Sequence, residues 1–123
     1  GGGIVWFYRK IAGMNADPSA PGYKNIIFRP MPAEGIDNAS YSNLTPYGPA
    51  SINWKREQGK FMMDIEVPVG STATVYLPAS DPASVRETGK KIKKSKRIVF
   101  QGMEDGYVVF KISSGDYRFS AEL

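Results

Sequence analysis

Apolar and polar residues alternate in short runs over most of this chain, from residue 23 onward. Between 51 and 57, for example, Ile52 and Trp54 alternate with polar residues, and a second alternating run follows the Gln58-Gly59 turn. A period of two places alternate side chains on opposite faces of a strand, so each run predicts a strand with one buried face. Roughly eight or nine such strands, with turn residues between them, are typical of a two-sheet antiparallel β-sandwich with Greek-key-like connections. We therefore expect an all-β fold.

The predicted strands and core follow from this alternation. We expect strands at 23–29, 39–44, 51–57, 60–67, 72–77, 84–88, 97–101, 107–112 and 117–121. The third and fourth of these should pair as a hairpin around their tight turn. Each apolar side chain buried in such a sandwich contributes about 1.5–3 kcal/mol to folding. The core is expected to contain Ile26, Phe28, Ile52, Trp54, Phe61, Met63, Ile65, Val75, Leu77, Val108, Phe110, Ile112 and Phe119.

The first fourteen residues break the alternation. Residues 4–8 are all large and apolar, and a helix that is apolar on every side needs burial on every side. We interpret this segment as the end of a helix that begins in another part of a longer protein, with Gly13 as its C-cap. The Pro- and Gly-rich residues that follow form a linker. The predicted organisation is therefore 1–14 as a helix end, 15–22 as a linker and 23–123 as the sandwich.

Cysteine and histidine are both absent. The chain therefore has no disulfide and no thiolate nucleophile, and it lacks the commonest general base at neutral pH. A glycosidase needs two carboxylates that face each other across the sugar, one of them in a dry setting. Asp64 and Glu66 instead fall on the polar face of their strand, and Glu104 and Asp105 fall in a turn. We predict no catalytic residue, no metal ligand and no cofactor in this chain.

Six of the sixteen basic residues lie between 90 and 97. Clustered lysines can contact phosphates, which makes nucleic-acid binding one hypothesis for this run. However, no aromatic residue interleaves with the run to stack on bases. Lysines on loops and edge strands also prevent pairing between sheet edges. We therefore favour a solvated hairpin over nucleic-acid binding.

The sequence contains no evident membrane or secretion signal. No apolar run approaches the roughly 18 residues of a membrane span. The N-terminal apolar stretch precedes its basic residues, whereas in a signal peptide it follows them. We expect no membrane partner and leave localisation open, with a secreted or periplasmic location compatible with a longer parent protein.

Four tyrosines, Tyr41, Tyr47, Tyr76 and Tyr107, are candidates for an exposed aromatic surface. Aromatic rings that face solvent can stack on sugar rings, as in carbohydrate-binding modules. Tyr41, Tyr47 and Tyr76 are the sugar-stacking candidates that we retain. Trp54 would qualify only if it faced outward, and its phase in the strand assigns it to the core.

Several short motifs follow one another along the chain. They are Trp6-Phe7-Tyr8-Arg9-Lys10-Ile11-Ala12-Gly13, Ala20-Pro21-Gly22-Tyr23-Lys24-Asn25-Ile26-Ile27-Phe28-Arg29-Pro30, Ala39-Ser40-Tyr41, Pro46-Tyr47-Gly48, Trp54-Lys55-Arg56-Glu57, Phe61, Thr72-Ala73-Thr74-Val75-Tyr76-Leu77-Pro78, Glu87-Thr88-Gly89-Lys90 and Ser114-Gly115-Asp116-Tyr117-Arg118-Phe119. Their succession resembles the end of bacterial α-L-rhamnosidases of the inverting glycoside hydrolase type. The resemblance covers nearly the whole chain in the correct order.

The resemblance implies an architecture and a role. In such enzymes a glutamic acid and a second glutamate hydrolyse terminal α-L-rhamnosyl bonds within an (α/α)6 barrel, whose last helix leads into a C-terminal β-sandwich. None of the family's catalytic carboxylates falls in this stretch. The resemblance therefore implies a non-catalytic accessory domain that braces the barrel of the same parent chain through Trp6, Phe7, Tyr8 and Ile11. The alternative is a carbohydrate-binding module for rhamnose-containing glycans.

Overall fold

The described part of the chain folds into two packed β-sheets. A computed structural model describes residues 9–20, 22–93 and 96–123. The strands are β1 (Met14–Ala16), β2 (Asn25–Phe28), β3 (Asn38–Thr45), β4 (Gly48–Glu57), β5 (Lys60–Val67), β6 (Thr72–Pro78), β7 (Arg86–Glu87), β8 (Lys90–Lys91), β9 (Ile98–Glu104), β10 (Tyr107–Ile112) and β11 (Gly115–Glu122). One sheet has five strands in the order β1-β2-β6-β10-β9, and the other has six in the order β3-β4-β5-β11-β7-β8. The predicted two-sheet sandwich is confirmed.

The chain crosses repeatedly from one sheet to the other. It does so after β2, β5, β6, β8 and β10, whereas β3, β4 and β5 form a meander within one sheet. Neighbouring strands are antiparallel except for β2 and β6, which run parallel. Strands joined by a tight turn must be antiparallel, but β2 and β6 are joined through the other sheet and can align in parallel. This pair is the departure from the expected antiparallel pattern.

The hairpins follow their turn residues. Gln58 and Gly59 have φ values of 51° and 74°, and two positive φ angles produce the turn whose twist matches that of antiparallel strands. This turn joins β4 to β5, as expected. Asp105 and Gly106, with φ values of 51° and 83°, join β9 to β10 in the same way. Both ends of β5 and of β10 lie where the sequence predicts them.

Two short regions differ from the prediction. β1 includes Asn15 and Ala16, which the sequence pattern places in the linker, because these residues pair with β2. The strand expected at 84–88 begins only at β7, because Asp81 caps a 3-10 turn over Pro82–Ser84. Pairing with a separate strand decides the first conformation, whereas a local cap decides the second.

The core between the sheets contains every residue that the sequence predicts for it. Within it, the rings of Trp54 and Phe61 stack with centroids 5.3 Å apart. Ala12 and Met14 are also fully buried in this core, although the sequence pattern places them in the helix of another domain. The helix ends before Met14, and β1 carries the Met14 side chain into the sandwich. Ala12 and Met14 are therefore core residues of the sandwich.

Candidate interdomain junction

Residues 9–12 are helical, and Gly13 ends this helix. Gly13 has a φ of 88°, and its N–H donates to the Arg9 carbonyl at 2.7 Å, which is the geometry of a glycine C-cap. A Cβ at this position would lie 2.1 Å from the Arg29 carbonyl oxygen. The predicted cap is confirmed, and close approach of a second segment also requires glycine here.

In the ranges described, no helix reaches the length and hydropathy that crossing a membrane requires.

The carbonyl of Ile11 receives two hydrogen bonds from the sandwich. Trp54 Nε1 donates to it at 3.1 Å, and the Met31 N–H donates at 3.1 Å. Carbonyls in the last turn of a helix have no partner within the helix, and a buried indole N–H needs an acceptor. Trp54 is 1% exposed, so one contact satisfies the helix and the core together. The sequence pattern predicts Trp54 as a core residue but not its polar role, which the need of a buried indole for an acceptor could have signalled.

The segment after β2, which contains Met31, makes a further hydrogen bond to the helix end. The Arg29 N–H donates to the Gly13 carbonyl at 2.6 Å. Farther along the same segment, Asp37 lies 3.6 Å from the Arg56 guanidinium, and its carbonyl accepts the Arg56 N–H at 2.8 Å. The Arg56 side chain also donates to the Ala33 carbonyl. The bonds from Arg56 anchor this segment to β4, and the bond from Arg29 ties it to the helix end.

The residues predicted to contact another domain are only partly described. Trp6, Phe7 and Tyr8 lie outside the described residues. Ile11 is half-buried and packs against the core. Beside it, Met31 is 41% exposed. Contact of this region with a second domain stays a prediction.

An arginine lies between two tyrosines on the outer face of the five-stranded sheet, next to the junction. The Arg29 guanidinium is 4.8 Å from the ring centroids of both Tyr76 and Tyr107. The two rings meet edge to face at 5.9 Å, Asp105 lies 3.7 Å from the guanidinium, and the Tyr107 hydroxyl donates to the Pro30 carbonyl at 2.8 Å. We call Arg29, Tyr76 and Tyr107 the Arg29 cluster. No sequence motif assigned a role to Arg29.

The three retained sugar-stacking candidates do not form one surface. Tyr41 lies in β3 opposite Ile52 and packs against the core. Tyr47 lies in the β3–β4 turn, with the Lys24 ammonium 5.6 Å from its ring centroid. Tyr76 lies on the other sheet, and Arg29 stacks on its ring. Stacking on a sugar needs an accessible ring face, so this arrangement does not favour a shared sugar platform.

The carboxylates considered for acid–base chemistry lie on solvent-facing positions, as predicted. Asp64 Oδ1 accepts a hydrogen bond from Arg118 Nε at 3.0 Å on the outer face of the six-stranded sheet. Glu66 is opposite Asp116 in the register of β5 and β11. A general acid in a glycosidase needs a dry environment, which this face does not provide.

Asp17 directly follows β1, and its carboxylate accepts three hydrogen bonds. Its Oδ1 accepts hydrogen bonds from the Ser19 N–H at 2.9 Å and from the Ser19 hydroxyl at 2.8 Å. Asn25 Nδ2 donates to Oδ2 at 3.1 Å. These bonds favour the ionised carboxylate and lower the pKa of Asp17 below its ordinary value, with the Ser19 N–H as the largest cause. The carboxylate therefore ties the end of β1 to β2.

The first two lysines of the basic run lie in a solvated hairpin, as the sequence predicts for the run. Lys90 and Lys91 form β8, which pairs with β7 across a turn with positive φ at Thr88 and Gly89. Both lysines are exposed, and β8 is the edge strand of the six-stranded sheet. Lysines on an edge strand oppose pairing with another sheet. This arrangement supports edge protection over nucleic-acid binding.

A family model described as the bacterial alpha-L-rhamnosidase C-terminal domain matches residues 13–92. An alpha-L-rhamnosidase of Streptomyces avermitilis is 33% identical over 115 residues, which are 94% of this chain and 10% of that protein. An alpha-L-rhamnosidase of Formosa agariphila is 26% identical over 117 residues, which are 95% of this chain and 12% of that protein. The chain thus spans about a tenth of the length of these relatives.

Solved structures show the same similarity. The Streptomyces avermitilis alpha-L-rhamnosidase complexed with L-rhamnose matches with a TM-score of 0.80 and 32% identity, over 94% of this chain and 10% of that one. The alpha-L-rhamnosidase from Dictyoglumus thermophilum matches with a TM-score of 0.80 and 34% identity, over 96% of this chain and 13% of that one. In both cases the similarity covers a small part of the larger protein.

Proposed function

Because the chain belongs to the bacterial alpha-L-rhamnosidase C-terminal domain family, we propose that it is the non-catalytic accessory domain of an alpha-L-rhamnosidase. The parent enzyme hydrolyses terminal α-L-rhamnosyl bonds with inversion in a separate (α/α)6 barrel. The sandwich braces that barrel and contributes no catalytic group.

The observation that carries this proposal is the double hydrogen bond to the Ile11 carbonyl. The helical residues 9–12, which we assign to the end of the last barrel helix, are held by hydrogen bonds from Trp54 and Met31 of the sandwich, and Gly13 brings them against Arg29. Because polar and apolar contacts both hold the helix end, the helix cannot pivot without breaking them. The sandwich therefore sets the direction of the last barrel helix.

The surface beside this helix has the composition of a domain interface. Tyrosine and arginine are enriched in interfaces and carry much of their binding energy. The Arg29 cluster presents both types next to the junction, and the exposed Met31 lies on the same loop. We propose that the barrel covers this surface, with Trp6, Phe7, Tyr8 and Ile11 at its margin.

Substitution of Arg29 in the parent enzyme tests the bracing role. Arg29→Ala should lower the temperature at which the parent loses activity, while kcat/KM for an aryl rhamnoside at room temperature stays unchanged. The matched control is Arg118→Ala, which removes an ion-paired arginine from the outer face of the other sheet and should leave the inactivation temperature unchanged.

The isolated chain supplies the second comparison. If Arg29→Ala destabilises the isolated chain as much as it destabilises the parent, the cluster acts only within the sandwich and bracing through it is wrong. Purified chain should not hydrolyse an aryl rhamnoside. Turnover that one carboxylate substitution abolishes would contradict the non-catalytic assignment.

A further inference from the structure

An apolar groove opens between β9, Pro82 and the residues that follow β8, at the edge of the five-stranded sheet opposite β1. Its volume is 610 Å³. We call it the β9 groove; its apolar lining residues are Pro82, Ile92, Ile98, Val99, Phe100 and Phe110. A cavity of this size and lining is typical of a binding site rather than of bare surface.

The groove leaves a core-side residue of β9 exposed. Phe100 is in register with the buried Phe110, and their rings are 5.9 Å apart, so Phe100 lies on the core side of its sheet. It is nevertheless 55% exposed. Met103, opposite Val108, shares this face and is also exposed, whereas the exposed Val99 is opposite Lys111 on the other face of the strand. Single exposed apolar residues are ordinary, but an apolar groove along an edge strand marks an interaction surface.

The strand register indicates how a partner would bind. The register between β9 and β10 shifts at Val109 and Phe110, which leaves Gln101 without an opposite residue. A bulge of this kind interrupts a strand edge and opposes the addition of a further strand. Occupation of the groove by apolar side chains therefore fits better than extension of the sheet.

Charge complementarity specifies the partner further. Lys93 and Lys96 line the groove, and none of the described lining residues is acidic. Lys90 and Lys91 add two exposed positive charges on the adjacent hairpin. Complementary potentials across an interface favour the correct partner and exclude like-charged ones. The occupant should carry carboxylates next to its apolar side chains.

We propose that the β9 groove docks a segment of the same polypeptide outside these 123 residues, and that this segment bears a large apolar side chain flanked by aspartate or glutamate. This inference rests on the proposed function as an accessory domain. The relatives are about ten times longer than this chain, so most of such a parent lies outside it. At the opposite edge of the same sheet, the segment that enters through Ala12 and Met14 fills the corresponding gap.

Methionine oxidation in the parent enzyme tests the proposal, because oxidation by hydrogen peroxide follows side-chain exposure. Met103 lies outside the groove lining but on the same face of β9 as Phe100, three residues farther along the strand, so a segment docked along this face would cover it. Met103 is 48% exposed, and Met31 is 41% exposed at the junction. Met62, on the outer face of the six-stranded sheet, serves as a reference. Mass spectrometry of peptides should show Met103 oxidised at least about fivefold more slowly in the parent than in the isolated chain, with Met62 unchanged. Equal Met103 rates would overturn the proposal.

Two further experiments test whether the occupant is acidic and whether it is a second copy of this chain. Lys93→Glu with Lys96→Glu in the parent should restore fast oxidation of Met103, whereas Lys55→Glu with Lys60→Glu on the other sheet should not. Continued protection in the charge-reversed enzyme would rule out an acidic occupant. Protection in the isolated chain that rises with protein concentration would assign the groove to a second copy and overturn the proposal. Slower oxidation of Met31 alone would support the bracing role and reject the β9 groove as a docking site.

Discussion

The two edges of the five-stranded sheet, β1 and β9, differ in how the gap beside them is filled. At β1 the core is closed by Ala12 and by Met14 of β1 itself, which are fully buried. The carbonyls of Ile11 and Gly13 accept hydrogen bonds from Trp54 and Arg29. At β9 the equivalent gap is the open β9 groove, with Phe100 half-exposed. Hydrogen bonds and apolar contacts therefore both stabilise the closed edge at β1. The open edge presents apolar side chains and a basic rim.

The difference does not follow from the hydrophobicity of the strands. β1 has the sequence Met-Asn-Ala, whereas β9 contains Ile98, Val99, Phe100 and Met103. The more apolar strand is the more exposed one. Burial at a sheet edge is decided by what lies over the strand, and within the described ranges the chain supplies a cover at β1 only.

The most disruptive test of the closed edge is Gly13→Ala. The new Cβ would lie 2.1 Å from the Arg29 carbonyl oxygen, at a φ of 88°, so the backbone would have to move. We expect the free energy of unfolding to fall by more than about 4 kcal/mol, a loss that single substitutions rarely reach. Urea denaturation followed by circular dichroism measures this change.

Gly89→Ala is the matched control. Gly89 has a φ of 77°, but apart from its chain neighbours no described atom lies within 4 Å of the position that a Cβ would take. In this variant the free energy of unfolding should fall by about 1 kcal/mol, the cost of a left-handed backbone for a residue with a Cβ. Similar losses for the two variants would show that close approach at the junction does not contribute to stability.

Two methionines compare the edges directly. Met14 is fully buried beside β2, and Met103 is 48% exposed on β9. Met14→Ala should destabilise the domain by about 2–5 kcal/mol because it leaves a cavity in the core. Met103→Ala should change the free energy of unfolding by about 0.5 kcal/mol or less, as at other surface positions. Thermal denaturation of both variants measures these losses of stability. Equal losses would show that the two edges do not differ in burial.

The smallest expected effect concerns pH and Asp17, which follows β1. Hydrogen bonds from Ser19 and Asn25 lower its pKa below the ordinary value of 3.8. A carboxylate with a lowered pKa in the folded state stabilises that state above its ordinary pKa, and the stabilisation is lost as the pH falls through the lowered value.

Asp17→Asn removes this titration. The stability difference between the natural chain and this variant should therefore be larger at about pH 6 than at about pH 3, as urea midpoints at both pH values would reveal. Glu34→Gln is a suitable control, because Glu34 is an exposed acid in the segment after β2. A difference that stays constant across this range would mean that the hydrogen bonds to Asp17 do not stabilise the fold.

Local chemistry predicts most of the sheet structure. Alternation places Ile52, Trp54 and Phe61 on the buried side, and two positive φ angles at Gln58-Gly59 give the hairpin its turn. The candidate junction is predicted only in part. Gly13 is identified as a cap from its position after an apolar run, whereas the acceptor of the Trp54 indole and the tyrosines around Arg29 lie on distant segments of the chain.

The sequence by itself determined the strands, the turns between them and the side of each strand that faces the core, because these depend on the period of a strand and on the backbone preferences of turn residues. Only the tertiary structure decided that β1 joins the sandwich, that β2 and β6 run parallel, and that Phe100 is exposed. Those features depend on which distant segments meet, and an alternating pattern is the same whether or not another segment covers it.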